Sequence, residues 1–125
     1  MKIDNVISDK TRAFAIRTIR LYQYLCDEKN EYVLSKQVLR SGTSVGANVK
    51  EAIRGQSKAD FIAKMSIALK EASETEYWLD LLAETGYLTK EQFESIQHEC
   101  VEIIKILMSI NNSSKKPKQQ EEANA

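Results

Sequence analysis

Apolar positions along this chain recur by threes and fours in four separate stretches, and each stretch predicts an amphipathic helix. In the first, Phe14, Leu21 and Leu25 fall at i, i+7 and i+11, with Ala15 and Tyr22 beside them. Ser8 or Asp9 offers an N-cap, so a helix is predicted from about Asp9 to Glu28. The connection at Lys29–Tyr32 is short, so the second helix has to return antiparallel. That helix is predicted from near Val33 to Gly55, with Leu34, Val38, Ser41, Val45, Val49 and Ala52 on its core face. Gly42 and Gly46 fall in its middle, where each glycine costs roughly 1 kcal/mol relative to alanine. They indicate either a close helix–helix approach or a loop. The seven-residue repeat continues straight through them, and the segment is read as a closely packed helix.

The third pattern is unbroken: Phe61, Met65, Ala68, Ala72, Thr75, Leu79 and Leu82. Ser57 with Asp60 resembles a capping box at its start, and Gly86 is a natural C′ residue at its end. At ~1.5 Å per residue, Ala59 to Thr85 spans about 40 Å. Thr89 and Gln92 form a second capping box, which opens the fourth helix with its stripe Phe93, Ile96, Cys100, Ile103, Leu107 and Ile110. Asn111-Asn112-Ser113-Ser114 is expected to end it. Four helices of similar length joined by short connections predict an all-α fold, an antiparallel up-down-up-down four-helix bundle over residues 1–112. Residues 113–125 carry no apolar side chain larger than alanine and are expected to be a disordered tail.

Composition narrows the class. The 125 residues include one proline and four glycines, too few for a chain of tight β-turns. No run of about 18 apolar residues occurs, so no membrane partner is expected. The opening Met-Lys-Ile-Asp-Asn-Val-Ile-Ser has no apolar core and no small-residue cleavage site, so no secretory signal is expected. Cys26 and Cys100 lie far apart within helical patterns, and reduced, buried thiols of a cytoplasmic protein are expected. The net charge is zero but unevenly placed. Residues 1–64 carry 12 Lys+Arg against 7 Asp+Glu, and residues 65–125 carry 6 against 11. This asymmetry either steers a partner or another copy, or reflects basic and acidic helices pairing inside one bundle.

Some apolar residues exceed what one core needs. Ile67, Trp78 and Leu81 lie off the main stripe of the third helix and share a face with Glu71 and Glu74. Ile16 and Ile19 lie off the stripe of the first, flanked by Arg17 and Arg20. Apolar anchors ringed by complementary charge mark Ile16, Ile19, Ile67, Glu71, Trp78 and Leu81 as a candidate oligomer interface. The alternative is ordinary scattering of apolar side chains over a surface.

Catalytic and cofactor chemistry finds little footing. His98 is the only histidine, and Ser95 stands where a di-iron bundle would place Glu, so a metal or other cofactor is not expected. Glu94 and His98 share a face at i, i+4 and read as a surface pair. There is no nucleophile elbow, no Cys-x-x-Cys and no Walker-type loop. The run Gly42-Thr43-Ser44-Val45-Gly46 lacks the Lys-Ser/Thr ending of a phosphate loop. No enzyme is expected. Glu76 borders the core stripe and needs a partner, and Asn48 at the edge of the second helix could supply a structural hydrogen bond. Nucleic-acid binding has one candidate, a basic ridge of Lys36, Arg40, Lys50, Arg54 and Lys58. Against it stand the neutral total and the lack of interleaved aromatics.

The stretch RSGTSVGANVKEA from Arg40 to Ala52, then Asp60-Phe61, then IALKEASETEYWLDLL from Ile67 to Leu82, resembles the bacterial family called "four helix bundle protein". Some members are encoded by intervening sequences within 23S rRNA genes, and the family was once labelled ribosomal. The resemblance covers roughly residues 10–110. It implies an antiparallel bundle assembling into a ring, commonly a homopentamer, in a family with no established enzymatic activity. It also implies likeness to the accessory variability protein of diversity-generating retroelements, a basic pentamer that works with a reverse transcriptase and nucleic acid. This chain departs from that relative in its neutral charge. Arg40, Ser41, Ser44, Asn48, Glu51, Glu71, Glu76 and Trp78 are the residues that the resemblance carries over, with packing and assembly as their implied role.

Overall fold

A computed structural model describes residues 2–115. Four helices follow one another: α1 (Lys2–Lys29), α2 (Leu34–Ile53), α3 (Lys58–Glu84) and α4 (Lys90–Lys115). Each packs on its sequence neighbour, and α4 closes the ring against α1 along the sparsest of the four seams, while the diagonal pairs stand farther apart. Chain directions oppose on every seam. Thr18 and Thr11 of α1 meet Gly42 and Gly46 of α2. Ser41 and Glu51 of α2 meet Thr75 and Lys64 of α3. Ala72 and Met65 of α3 meet Cys100 and Asn111 of α4. Lys10 and Arg17 of α1 meet Glu102 and Glu99 of α4. The bundle is therefore antiparallel throughout, as the short connections require.

The core is built from the predicted stripes. Phe14, Leu25, Val38, Val45, Val49, Met65, Leu79, Leu82, Cys100 and Leu107 are all fully buried. The two mid-helix glycines of α2 belong to a continuous helix and serve close approach. A Cβ on Gly42 would stand 2.4 Å from Thr18 Cγ2, and one on Gly46 would stand 3.2 Å from the Thr11 carbonyl oxygen. Gly86 takes φ +86°, and the Tyr87 N–H bonds back to the Leu82 carbonyl at 2.9 Å, closing α3. Ser57 Oγ accepts from the Asp60 N–H at 3.1 Å. Thr89 and Gln92 make a full reciprocal box at 2.9 and 3.1 Å.

Three boundaries differ from expectation. Helix α1 starts at Lys2, not near Asp9, because Ile7, two turns before Phe14, continues the buried stripe further back. Thr11 escapes the cost of a buried hydroxyl by donating to the Ile7 carbonyl at 2.7 Å. Helix α2 stops at Ile53, ahead of Gly55. Helix α4 runs through Asn111–Ser114 to Lys115, because Ile110 and Asn111 still pack against the bundle and the Asn111 amide reaches the Met65 carbonyl. Residues 113–115 are thus helical, and the rest of the expected tail lies outside the described residues.

The start of α2 is capped in a way that residue types alone did not reveal. Asn30 takes the left-handed conformation, φ 52°, which brings the Glu31 N–H to the Leu25 carbonyl at 2.9 Å. The Glu31 carboxylate then accepts from the N–H groups of Val33, Leu34 and Ser35 at 3.1, 2.9 and 2.6 Å. Burial pushes its carboxyl up, and the three backbone donors outweigh that and hold it below the usual carboxylate range.

Candidate functional site

The proposed interface residues separate into two patches. On α3, Ile67 is 40% exposed, while Glu71, Trp78 and Leu81 are half-buried along the flank that faces α2. Arg40 reaches across from α2, its guanidinium 3.2 Å from Glu71 and also bonded to Glu74. The Trp78 indole N–H points to the same Glu74 oxygen at 3.4 Å, and the Arg40 bond holds the Glu74 carboxyl below the usual carboxylate range. Tyr77 and Trp78 sit with ring centres 5.4 Å apart. On α1, Ile16 and Ile19 are 42% and 40% exposed. Because α1 and α3 are diagonal, these residues do not adjoin the α3 patch. Arg17, expected beside them, turns to α4, where it bonds Glu99 at 2.7 Å and the Ser95 hydroxyl at 2.7 Å.

The basic ridge is reorganised as well. Arg40 is taken up by Glu71 and Glu74 and leaves the ridge. Lys36 is exposed on the first turn of α2, and Lys58 begins α3. Lys50 and Arg54 come together with Arg12 of α1 around a groove of about 400 Å³ between α1 and α2, floored by Ala15, Gly46, Ala47 and Ile53. Lys10, Arg17, Arg40 and Lys64 all find carboxylates, whereas Arg12, Lys50 and Arg54 have no ion pair among the described residues. Arg12 was invisible to a reading along α2 alone, since only the pairing of α1 with α2 brings it there.

Asn48 and Glu76 do not form the expected pair. The Asn48 amide donates to the Ser44 carbonyl at 2.8 Å within its own helix. Glu76 lies on the α4 side of α3, close enough to Cys100 for its charge to act on that thiol. The two residues face different neighbours, which the pattern along either helix could not reveal. The polar link between α2 and α3 is instead the buried Ser41–Thr75 hydroxyl pair at 2.8 Å.

Reactive groups are quiet. Burial first, and the Glu76 charge second, push the Cys100 thiol up to about 12, far from a thiolate at neutral pH. Cys26 is only half-buried, 3.8 Å from the Ser35 hydroxyl, so it departs from the expected burial. His98 pairs with Glu102 at 3.8 Å, and Glu94 with Lys90 rather than with His98. Among the described residues no three His, Cys, Asp or Glu side chains gather to hold a metal, and no helix is long and apolar enough to cross a membrane.

Geometry and composition together define an all-α bundle whose distinctive features are surfaces: an acidic aromatic flank on α3 and a cationic groove between α1 and α2. Residues 4–109 match the family described as 23S rRNA-intervening sequence protein, and the chain belongs to that family. A similar solved structure is a protein of unknown function from the S23 ribosomal protein family of Bacteroides thetaiotaomicron VPI-5482. It is 57% identical, with a TM-score of 0.87, over 88% of this chain and 98% of that one. The comparison with curated proteins gives no match.

Proposed function

We propose that this chain is a non-enzymatic, cytoplasmic assembly module that works as a homo-oligomer, a pentamer on the family resemblance. The observation that carries this reading is the surplus of exposed apolar surface on two helices. The stripes of α1 and α3 already fill the core, yet Ile16, Ile19 and Ile67 stay about 40% exposed, with Trp78 and Leu81 half-exposed nearby. Trp at such a position is a common centre of binding energy. Size-exclusion chromatography with light scattering at micromolar concentration tests it. A discrete oligomer is expected, and a clean monomer overturns the reading.

A second reading, association with RNA or DNA, is favoured by one observation, the three cations left without carboxylates at the α1/α2 groove. Phosphate contacts of this kind weaken steeply with salt. A gel shift with structured RNA at about 50 mM salt, where such contacts are strongest, is expected to be lost in Lys50→Glu with Arg54→Glu. An absent or unchanged shift removes this reading.

A further inference from the structure

We infer that the α1/α2 groove is a socket for the Tyr77–Glu84 strip on α3 of a second copy of this chain. The inference rests on the self-assembly proposed above and specifies which surfaces meet. Tyr77, Asp80, Leu81 and Glu84 follow at i, i+3, i+4 and i+7, so they share one face of α3. Tyr77 is 57% exposed, Asp80 and Glu84 are exposed, and neither carboxylate has an ion pair among the described residues. The strip therefore offers an aromatic ring and a leucine edge flanked by two unpaired anions. The groove offers the complement: an apolar floor of Ala15, Ala47 and Ile53 under the unpaired cations Arg12, Lys50 and Arg54.

The floor chooses between occupants. Phosphate groups use the cations alone, and the groove lining has no aromatic ring for a base to stack on, while an acidic helix with an aromatic centre uses cations and apolar residues together. The strip cannot fill the groove of its own molecule, because α1 and α3 lie across the bundle from each other. Each copy thus carries one socket and one plug on different sides. Contacts of this heterologous kind build a ring where the rotation between copies closes and a filament where it does not. Ile19 follows Arg12 and Ala15 along α1 by the same helical spacing and lengthens the socket, Trp78 borders the plug, and Ile67 lies about 15 Å further back along α3. These flanks extend the contact toward the roughly 800 Å² per partner of a stable interface.

Charge exchange tests the pairing by light scattering, with circular dichroism to confirm that the exposed substitutions leave the fold intact. Lys50→Glu with Arg54→Glu is expected to weaken association by about a hundredfold or more, as expected for unpairing interfacial charges. Asp80→Lys with Glu84→Lys is expected to do the same. The chain carrying all four changes, with the charges exchanged, is expected to assemble again, which an RNA-binding groove would not do. If the wild type is an oligomer but either double variant assembles normally, or the fourfold variant stays dissociated, the socket is wrong and the assembly reading stands. If the wild type is a monomer, both fall.

Discussion

Along α2, helix α1 presents Thr11 and Thr18 to Gly46 and Gly42, and along α4 it presents Lys10 and Arg17 to Glu102 and Glu99. The first seam is close because two side chains are missing, so the Thr18 methyl and the Thr11 carbonyl come up against bare backbone. The second is sparse, and long charged side chains bridge it from the surface. Contact of the first kind depends on shape and fails abruptly. Contact of the second kind is hydrated, screened by salt and tolerant of change.

The sharpest way to break this contrast is to fill the tight seam. Gly42→Val is expected to lose about 3 kcal/mol, because the new side chain meets the stiff, β-branched Thr18 at sub-contact distance. Urea unfolding measures it, and an unchanged midpoint would show that the seam can open freely. Adding Thr18→Ala is expected to recover part of the loss, the non-additivity of touching residues.

Next comes Glu31, which ties the turn of that seam to α2. Glu31→Ala leaves three N–H donors without their carboxylate and is expected to cost about 1–2 kcal/mol. Since the folded carboxyl is held below its ordinary value, its contribution is complete above about pH 4.3, the unfolded value. It is lost as pH falls through the folded value. The gap between wild type and Glu31→Ala is therefore expected to narrow in acid, and thermal melts across that range check it.

The smallest effect belongs to the bridged seam. Lys10→Ala with Arg17→Ala removes pairs whose side chains are 34–44% exposed, and is expected to cost less than about 1 kcal/mol, and less still in about 1 M salt. A loss comparable to that of Gly42→Val would collapse the distinction between the two seams.

Helical period carried the fold, since Phe61 through Leu82 and Phe93 through Ile110 are read directly as faces, and the interior glycines are compatible with an unbroken repeat. What stayed hidden has definite causes. Ser8 and Asp9 look like a helix start, and only the burial of Ile7 shows that the helix passes through them. Glutamate is not a typical capping type at its position three residues ahead of Leu34, so Glu31 gave no signal. The candidate interface residues were legible as side chains off the core stripes but not as two separate patches, and Arg12 was missed beside Lys50 and Arg54. Both failures concern how one helix is rotated against another, which the pattern along a single helix does not contain.

Cys100 turns the folded bundle into its own clock. Its sulfur lies against the Ala72 carbonyl with no exposed surface and little thiolate, so a thiol reagent reaches it only when α4 lifts from α3. Half-buried Cys26, on α1, is open to the same reagent without such an excursion. The ratio of the two labelling rates therefore times the opening of a single seam in the intact protein, with no probe introduced.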